Sequence, residues 1–136
     1  MKTNDKDIDF NFLSEEIYFV YSDIEQLNRV FINLLKNSIE SLAEKSKKMG
    51  NFQKKINIEI QLINDYINIE VLDNGTGFTN NDLRVFSKPY FTTKKEGSGL
   101  GLSIVEKILN DHNGFIEFIP QKEGAKIKIL LPNYVN

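Results

Sequence analysis

Apolar and polar positions alternate in two neighbouring runs, Ile56-Ile58-Ile60-Leu62 and Ile67-Ile69-Val71. Period-two alternation places one set of side chains on one strand face, so each run predicts a half-buried strand. Asn64-Asp65 between them suits a turn, and the pair reads as a hairpin. Upstream, Ile24, Leu27, Val30, Phe31, Leu34, Leu35, Ser38 and Leu42 recur at helical spacing. They predict one apolar stripe on a helix over roughly residues 23–46, with Ser22-Asp23-Ile24-Glu25 as an S-x-x-E capping box at its start. Ile8 to Phe12 and Ile17 to Val20 are two short β-prone runs ahead of it. The polar, basic stretch from Lys45 to Lys55, with Gly50 inside it, reads as a solvated loop. Past the hairpin, Asn80 to Phe86 suits a short helix, and the stretch from Ser87 to Gly101 suits a mobile loop. A second helix carries Leu100, Ile104, Val105, Ile108 and Leu109 on one side and ends at Asn113-Gly114, two residues that tolerate a left-handed backbone. Phe115 to Ile119 and Ala125 to Leu131 are two final strands, joined by a turn around Pro120 and Gly124. The order β-β-α-β-β-loop-α-β-β, with strands wet on one face, predicts an α+β two-layer sandwich whose helices cover the other face.

Composition narrows this picture without changing it. The chain has 136 residues, 40% apolar and 26% charged, which suits one domain with one core. A formal net charge of −2 offers no broad field to nucleic acid or anionic lipid, and neither is an expected partner. The chain has no cysteine, which removes disulfides and thiolate metal sites. No apolar run reaches the ~18 residues of a membrane span, and the N-terminus is no secretory signal.

Three segments far apart in sequence carry candidate chemistry. Asn33-Leu34-Leu35-Lys36-Asn37 places two asparagines one helical turn apart on one face. They are either an exposed helix edge or amide oxygens for Mg²⁺, a hard cation that keeps several waters. Asp73-Asn74-Gly75-Thr76-Gly77 ends a strand. It is either a simple turn or a carboxylate that accepts from the exocyclic amine of adenine, with glycines admitting the purine. Gly97-Ser98-Gly99-Leu100-Gly101-Leu102 opens the second helix, where free amides and the helix dipole favour an anion. It is neither a P-loop nor a dinucleotide fingerprint: Leu102-Ser103 follows Gly101, and the glycines follow a loop. Between the last two segments, Phe86 to Lys94 holds aromatics that could pin a lid over phosphates faced by Thr92, Thr93 and Lys94. The lone His112 reads as a helix-end residue favoured by the dipole.

In this order the segments resemble the ATP-binding domain of sensor histidine kinases. Asn33 to Ser38 resembles the family's asparagine box, Asp73 to Gly77 its first glycine box, and Gly97 to Leu102 its second. Phe86 to Lys94 resembles the phenylalanine box in the Phe-Thr-Thr-Lys form of nitrogen-regulation kinases. His112-Asn113-Gly114 and Leu131-Pro132 resemble the usual ending, although the family usually has Gly where Asn113 stands. The resemblance covers residues 8–132 and implies the Bergerat ATP-binding sandwich, a mixed sheet with helices on one face. It implies ATP and Mg²⁺ as cofactors. Asn37 would hold the metal with Asn33 in support, and Asp73, flanked by Gly75 and Gly77, would read adenine. Gly97, Gly99, Leu100, Gly101 and Leu102 would face phosphate, and Thr92, Thr93 and Lys94 would belong to the lid.

The phosphoacceptor histidine of such kinases lies on a helical hairpin ahead of this domain, and no such helix is expected in residues 1–136. The partner implied is that hairpin, in the same full-length protein or on a separate chain, with a response regulator reached indirectly. The domain would be cytoplasmic, as in membrane-anchored sensor kinases. Family members that hydrolyse ATP, such as gyrase and chaperone ATPases, carry a glutamate base where this chain has Asn33. So do the stand-alone serine kinases of the anti-sigma type, which also lack the Phe-Thr-Thr-Lys segment. A histidine kinase is therefore the expected activity. A serine kinase and a non-catalytic nucleotide-binding module are the alternatives.

Overall fold

The structure is a computed structural model that describes residues 7–78 and 98–134. Its elements are β1 (Ile8–Ser14), α1 (Ile24–Met49), β2 (Lys54–Ile63), β3 (Tyr66–Asp73), α2 (Ser98–Asp111), β4 (Phe115–Pro120) and β5 (Ala125–Pro132). The strands form one sheet in the order β1-β2-β3-β5-β4. β1 runs parallel to β2 and every other pairing is antiparallel, so the sheet is mixed. The alternation read from the sequence decides which face is dry. Ile67, Ile69 and Val71 of β3 lie beside Ile127, Ile129 and Leu131 of β5 and are buried with them. The intervening positions carry Glu59, Glu70, Lys128 and Glu117 in one row across four strands, and Lys126 reaches Glu70 at 3.5 Å. The expected α+β two-layer architecture is what the chain adopts.

The long helix supplies the other layer. Val30, Leu34, Ser38 and Leu42 form its buried row, and the three apolar members are fully excluded from solvent. Burial on that scale stabilises by ~1.5–3 kcal/mol per large apolar side chain. α2 adds Leu102, Val105, Ile108 and Leu109 to the same core. Ile24, assigned to the stripe by spacing, is instead 72% exposed, because it sits at the first helical position, beyond the edge of the sheet. Ile104 is also largely exposed, and Leu102 takes the core position.

Three local expectations are corrected. Ile17 to Val20 is not a strand: Tyr18 and Val20 turn inward onto the core, but no neighbouring strand pairs with the segment. Only the Tyr134 amide donates to Phe19 O there, at 2.9 Å. The cap of α1 is Asp23 rather than Ser22, with Oδ1 accepting from Glu25 N and Gln26 N at 3.0 and 3.2 Å. A carboxylate at this position meets both the free amides and the positive end of the dipole. The expected loop from Lys45 to Lys55 is mostly regular structure, since α1 runs on to Met49 and β2 begins at Lys54. Gly50 ends the helix at φ 83°, and Lys47 and Lys48 in the last turn suit its negative end.

At the end of α2, Asn113 takes the left-handed backbone at φ 59°, and Gly114 N donates to Leu109 O at 2.7 Å. Gly114 is required by space instead: a Cβ there would lie 2.7 Å from Leu130 O. His112 joins the two helices. Its Nε2 accepts from Asp23 N at 3.0 Å, which fixes Nδ1 as the protonated nitrogen, donating to Ile108 O at 2.7 Å. The ring is thus held by two partners and forms a hydrogen-bonded tie between the start of α1 and the end of α2. His112→Ala leaves the Asp23 amide without this acceptor and should lower unfolding free energy by about 1–2 kcal/mol in urea melts, with the α1 cap the first site to gain amide exchange.

Candidate functional site

The site begins where β3 leaves the sheet. Asp73 is the last residue of that strand and is only 5% exposed. Its Oδ1 accepts from Gly75 N at 2.8 Å, and the Ser38 hydroxyl and Ala125 backbone also donate to the carboxylate. A carboxylate offers about four acceptor positions, so three donors leave one for a ligand's N–H. Burial pushes its pKa above the ordinary 3.8, and the donors and the nearby Lys45 ammonium only partly oppose that shift.

The following loop is fastened to α1 by residues that the sequence reading did not single out. Ser41 Oγ accepts from Thr76 N at 2.9 Å and shares a second hydrogen bond with Thr76 Oγ1 at 3.0 Å. One turn on, Lys45 Nζ donates to Asn74 O at 2.8 Å and lies 4.7 Å from the centre of the Phe52 ring. Asn74 is fixed from the other side: its amide donates to Gln53 O at 2.8 Å and accepts from Lys55 N at 2.8 Å. Asn33, Asn37, Ser41 and Lys45 follow at successive four-residue steps, so they form one row along the helix. The row's second half holds the loop. Its first half, Asn33 and Asn37, is half-buried.

The glycines of the loop answer to protein neighbours. A Cβ on Gly75 would run into Ser41, lying 2.9 Å from its backbone carbon. Gly77 has φ 81°, and a Cβ there would lie 2.7 Å from Gly124 O. A Cβ on Gly124 would in turn overlap the Asp73 carbonyl. Close approach is therefore real at these positions, and what approaches is α1 and the β4–β5 turn. Beyond the loop, Phe78 meets Phe118 edge-on at 5.8 Å between ring centres.

The remaining candidates divide in two. Gly99, Leu100, Gly101 and Leu102 lie in the first turn of α2, as expected of a helix-opening segment, and the Leu102 side chain is buried. Thr92, Thr93, Lys94 and Gly97, and with them the expected lid and the helix over Asn80 to Phe86, lie outside the described residues. Among the described residues no group of three or more His, Cys, Asp or Glu could cage a metal. The oxygen donors at hand are amides, which fit Mg²⁺ shared with phosphate and water rather than an all-protein site.

Two outcomes follow from this geometry. Ser41→Ala should cost about 0.5–1.5 kcal/mol, and amide exchange should speed up at Gly75, Thr76 and Gly77 while β5 stays protected. For Asp73, the folded-state pKa lies above the unfolded one, so its stabilising contribution is present at low pH and is lost as pH rises through the raised value. Asp73→Asn lacks that titration. Its stability relative to the parent should therefore climb as pH rises from about 4 through the raised value, in paired urea melts.

Residues 22–135 match the family described as histidine kinase-, DNA gyrase B- and HSP90-like ATPase. Over 105 residues the chain is 38% identical to an NtrY-like sensor histidine kinase of Rickettsia bellii, covering 77% of this chain and 16% of that protein. Over 121 residues it is 37% identical to sporulation kinase E of Bacillus subtilis, covering 88% of this chain and 15% of the relative. It thus spans about a sixth of the length of these relatives. The fold superposes on the catalytic domain of histidine kinase ThkA with a TM-score of 0.79 at 29% identity, over 95% of this chain and 81% of that one. The chain belongs to the histidine kinase-, DNA gyrase B- and HSP90-like ATPase family and is homologous to sensor histidine kinases.

Proposed function

We propose that this domain binds Mg-ATP and presents the γ-phosphate to a histidine on a separate phosphoacceptor hairpin, in two-component signalling. The observation that carries the reading is Asp73: a buried carboxylate with three protein donors and one acceptor position left, at the end of the loop held by α1. That position suits the exocyclic amine of adenine. Asn37, with Asn33 one turn before it, offers amide oxygen to Mg²⁺, which would neutralise phosphate charge. Gly99 to Leu102 offer backbone amides at a helix start to phosphate oxygens, and Gly97, Thr92, Thr93 and Lys94 would close over them. Asn33 is too weak a base to activate water, which favours transfer to an imidazole over hydrolysis. His112 is no acceptor candidate, because both its ring nitrogens are engaged. The likeness to longer sensor kinases supports taking such a hairpin, and through it a response regulator, as partners of this domain in a cytoplasmic setting. Among the described residues no helix is long and apolar enough to cross a membrane.

Calorimetry and phosphotransfer test the reading together. ATP should bind more tightly with Mg²⁺ than without, and GTP poorly. Asp73→Asn should weaken ATP by about ten- to a hundredfold, the equivalent of roughly 1.4–2.8 kcal/mol. Asn37→Leu should remove the magnesium dependence. With MgATP, a hairpin supplied in trans should gain acid-labile phosphate while the domain itself stays unlabelled. Equal affinity for ATP and GTP would remove the role given to Asp73. Labelling of His112 would make the chain its own substrate.

A further inference from the structure

Along the β1 edge of the sheet, the two layers part. β1 carries Phe10 and Phe12 on the same face as Ile56 and Ile58, its partners on β2, yet these phenylalanines are 48% and 67% exposed. Beside them an open groove of about 590 Å³ runs between the sheet and the start of α1. Ile60, Ile67 and Ile69 line it from the sheet, Leu27 and Phe31 from α1, and Tyr18 from the incoming segment. Ile69 and Ile67 stand four and six residues from Asp73 along β3, about 13 and 20 Å at the rise of a strand, so the groove does not reach the Asp73 carboxylate. The described end of the chain before residue 79 points elsewhere, since Phe78 packs on Phe118 of the β4 edge.

The rim has one sign of charge. Glu15 and Glu16 line the groove, and both also line the adjoining cleft with Glu59 and Leu13. Among the described residues neither lining contains Lys or Arg. Ile17, beside these acids, is 84% exposed and Leu13 60%, so the apolar surface continues past the rim. An apolar trough with acidic edges, beside a helix and over an uncovered strand pair, has the chemistry of helix-in-groove recognition.

We propose that this groove docks a cationic amphipathic helix of a partner protein. The helix lies over β1 and β2 beside α1, its apolar face in the trough, and its Lys or Arg residues meet Glu15 and Glu16. Docking there extends the helical layer across the part of the sheet that α1 and α2 leave open. It leaves the Asp73 end of the domain free, so it is compatible with nucleotide binding.

The probe is a pair of labelled synthetic helices of about four turns, with Leu at i, i+3, i+4 and i+7 positions and either Lys or Glu elsewhere, titrated with the full chain in fluorescence anisotropy. The Lys helix should bind at least about tenfold more tightly than the Glu helix, and should weaken as salt rises from about 0.05 to 0.5 M. Glu15→Lys with Glu16→Lys should reverse the preference, whereas Glu44→Lys with Glu117→Lys, an equal charge change off the groove, should leave it. Ile17→Asp, at an exposed position that does not threaten folding, should abolish binding of the Lys helix with the melt unchanged. Equal response to the two charge-swapped pairs would reduce the effect to net charge and overturn the proposal. So would indifference to Ile17→Asp. Concentration-dependent dimerisation lost in Ile17→Asp would assign the groove to a second copy of the chain instead.

Discussion

Three hydrogen-bonded contacts between α1 and the loop after β3 hold the two layers in register: Ser38 with Asp73, Ser41 with Thr76, and Lys45 with Asn74. Apolar packing alone would let a helix slide or rotate on a sheet at small cost, because it is non-directional. Directed bonds at the Asp73 end remove that freedom. They also place the carboxylate of one layer at a fixed distance from the asparagines of the other. Each net bond contributes only about 0.5–1.5 kcal/mol, so the seam's value lies in geometry more than in stability.

Much of the sheet was legible in the sequence, because its alternation is regular and the Asn64-Asp65 turn is flanked by matched runs. The structure keeps that turn, with Asn64 at φ 55°. The seam was not legible. Ser38 read as a small member of an apolar row, which it is by position, but its hydroxyl turns to Asp73. Ser41 falls inside the predicted helix without being singled out, and Lys45 opens the expected solvated loop. The available signal was that they continue the four-residue progression from Asn33 and Asn37 toward the Asp-Asn-Gly-Thr-Gly loop, and propensity does not register such a row. Ile17 to Val20 failed for a different reason. Its composition is that of a strand, but pairing is a tertiary event, and Tyr18 and Val20 pack onto the core instead of joining either edge of the sheet.

The glycines show how a functional motif and a packing requirement coincide. A turn-forming role explains Gly77 and Gly124, both at positive φ. It does not explain Gly75, which is small because Ser41 stands against it. The motif is thus partly the footprint of the helix on the loop. The single histidine makes a similar point, since one partner, Ile108, lies one turn before it and the other, Asp23, stands 89 residues away at the start of the other helix.

The parallel pairing of β1 with β2 has a kinetic side. Asn11 and Asn57 meet across 46 residues of chain, with all of α1 between them. Closing so long a loop gives little return until the intervening helix has formed and docked. By contrast, β2–β3 and β4–β5 are hairpins closed by short turns. Local contacts form early and distant ones late, so β1 joins a sheet already assembled. The first strand in the sequence is then the last in the folding order. During translation it emerges before its partner exists, and its backbone stays unpaired until β2 has left the ribosome.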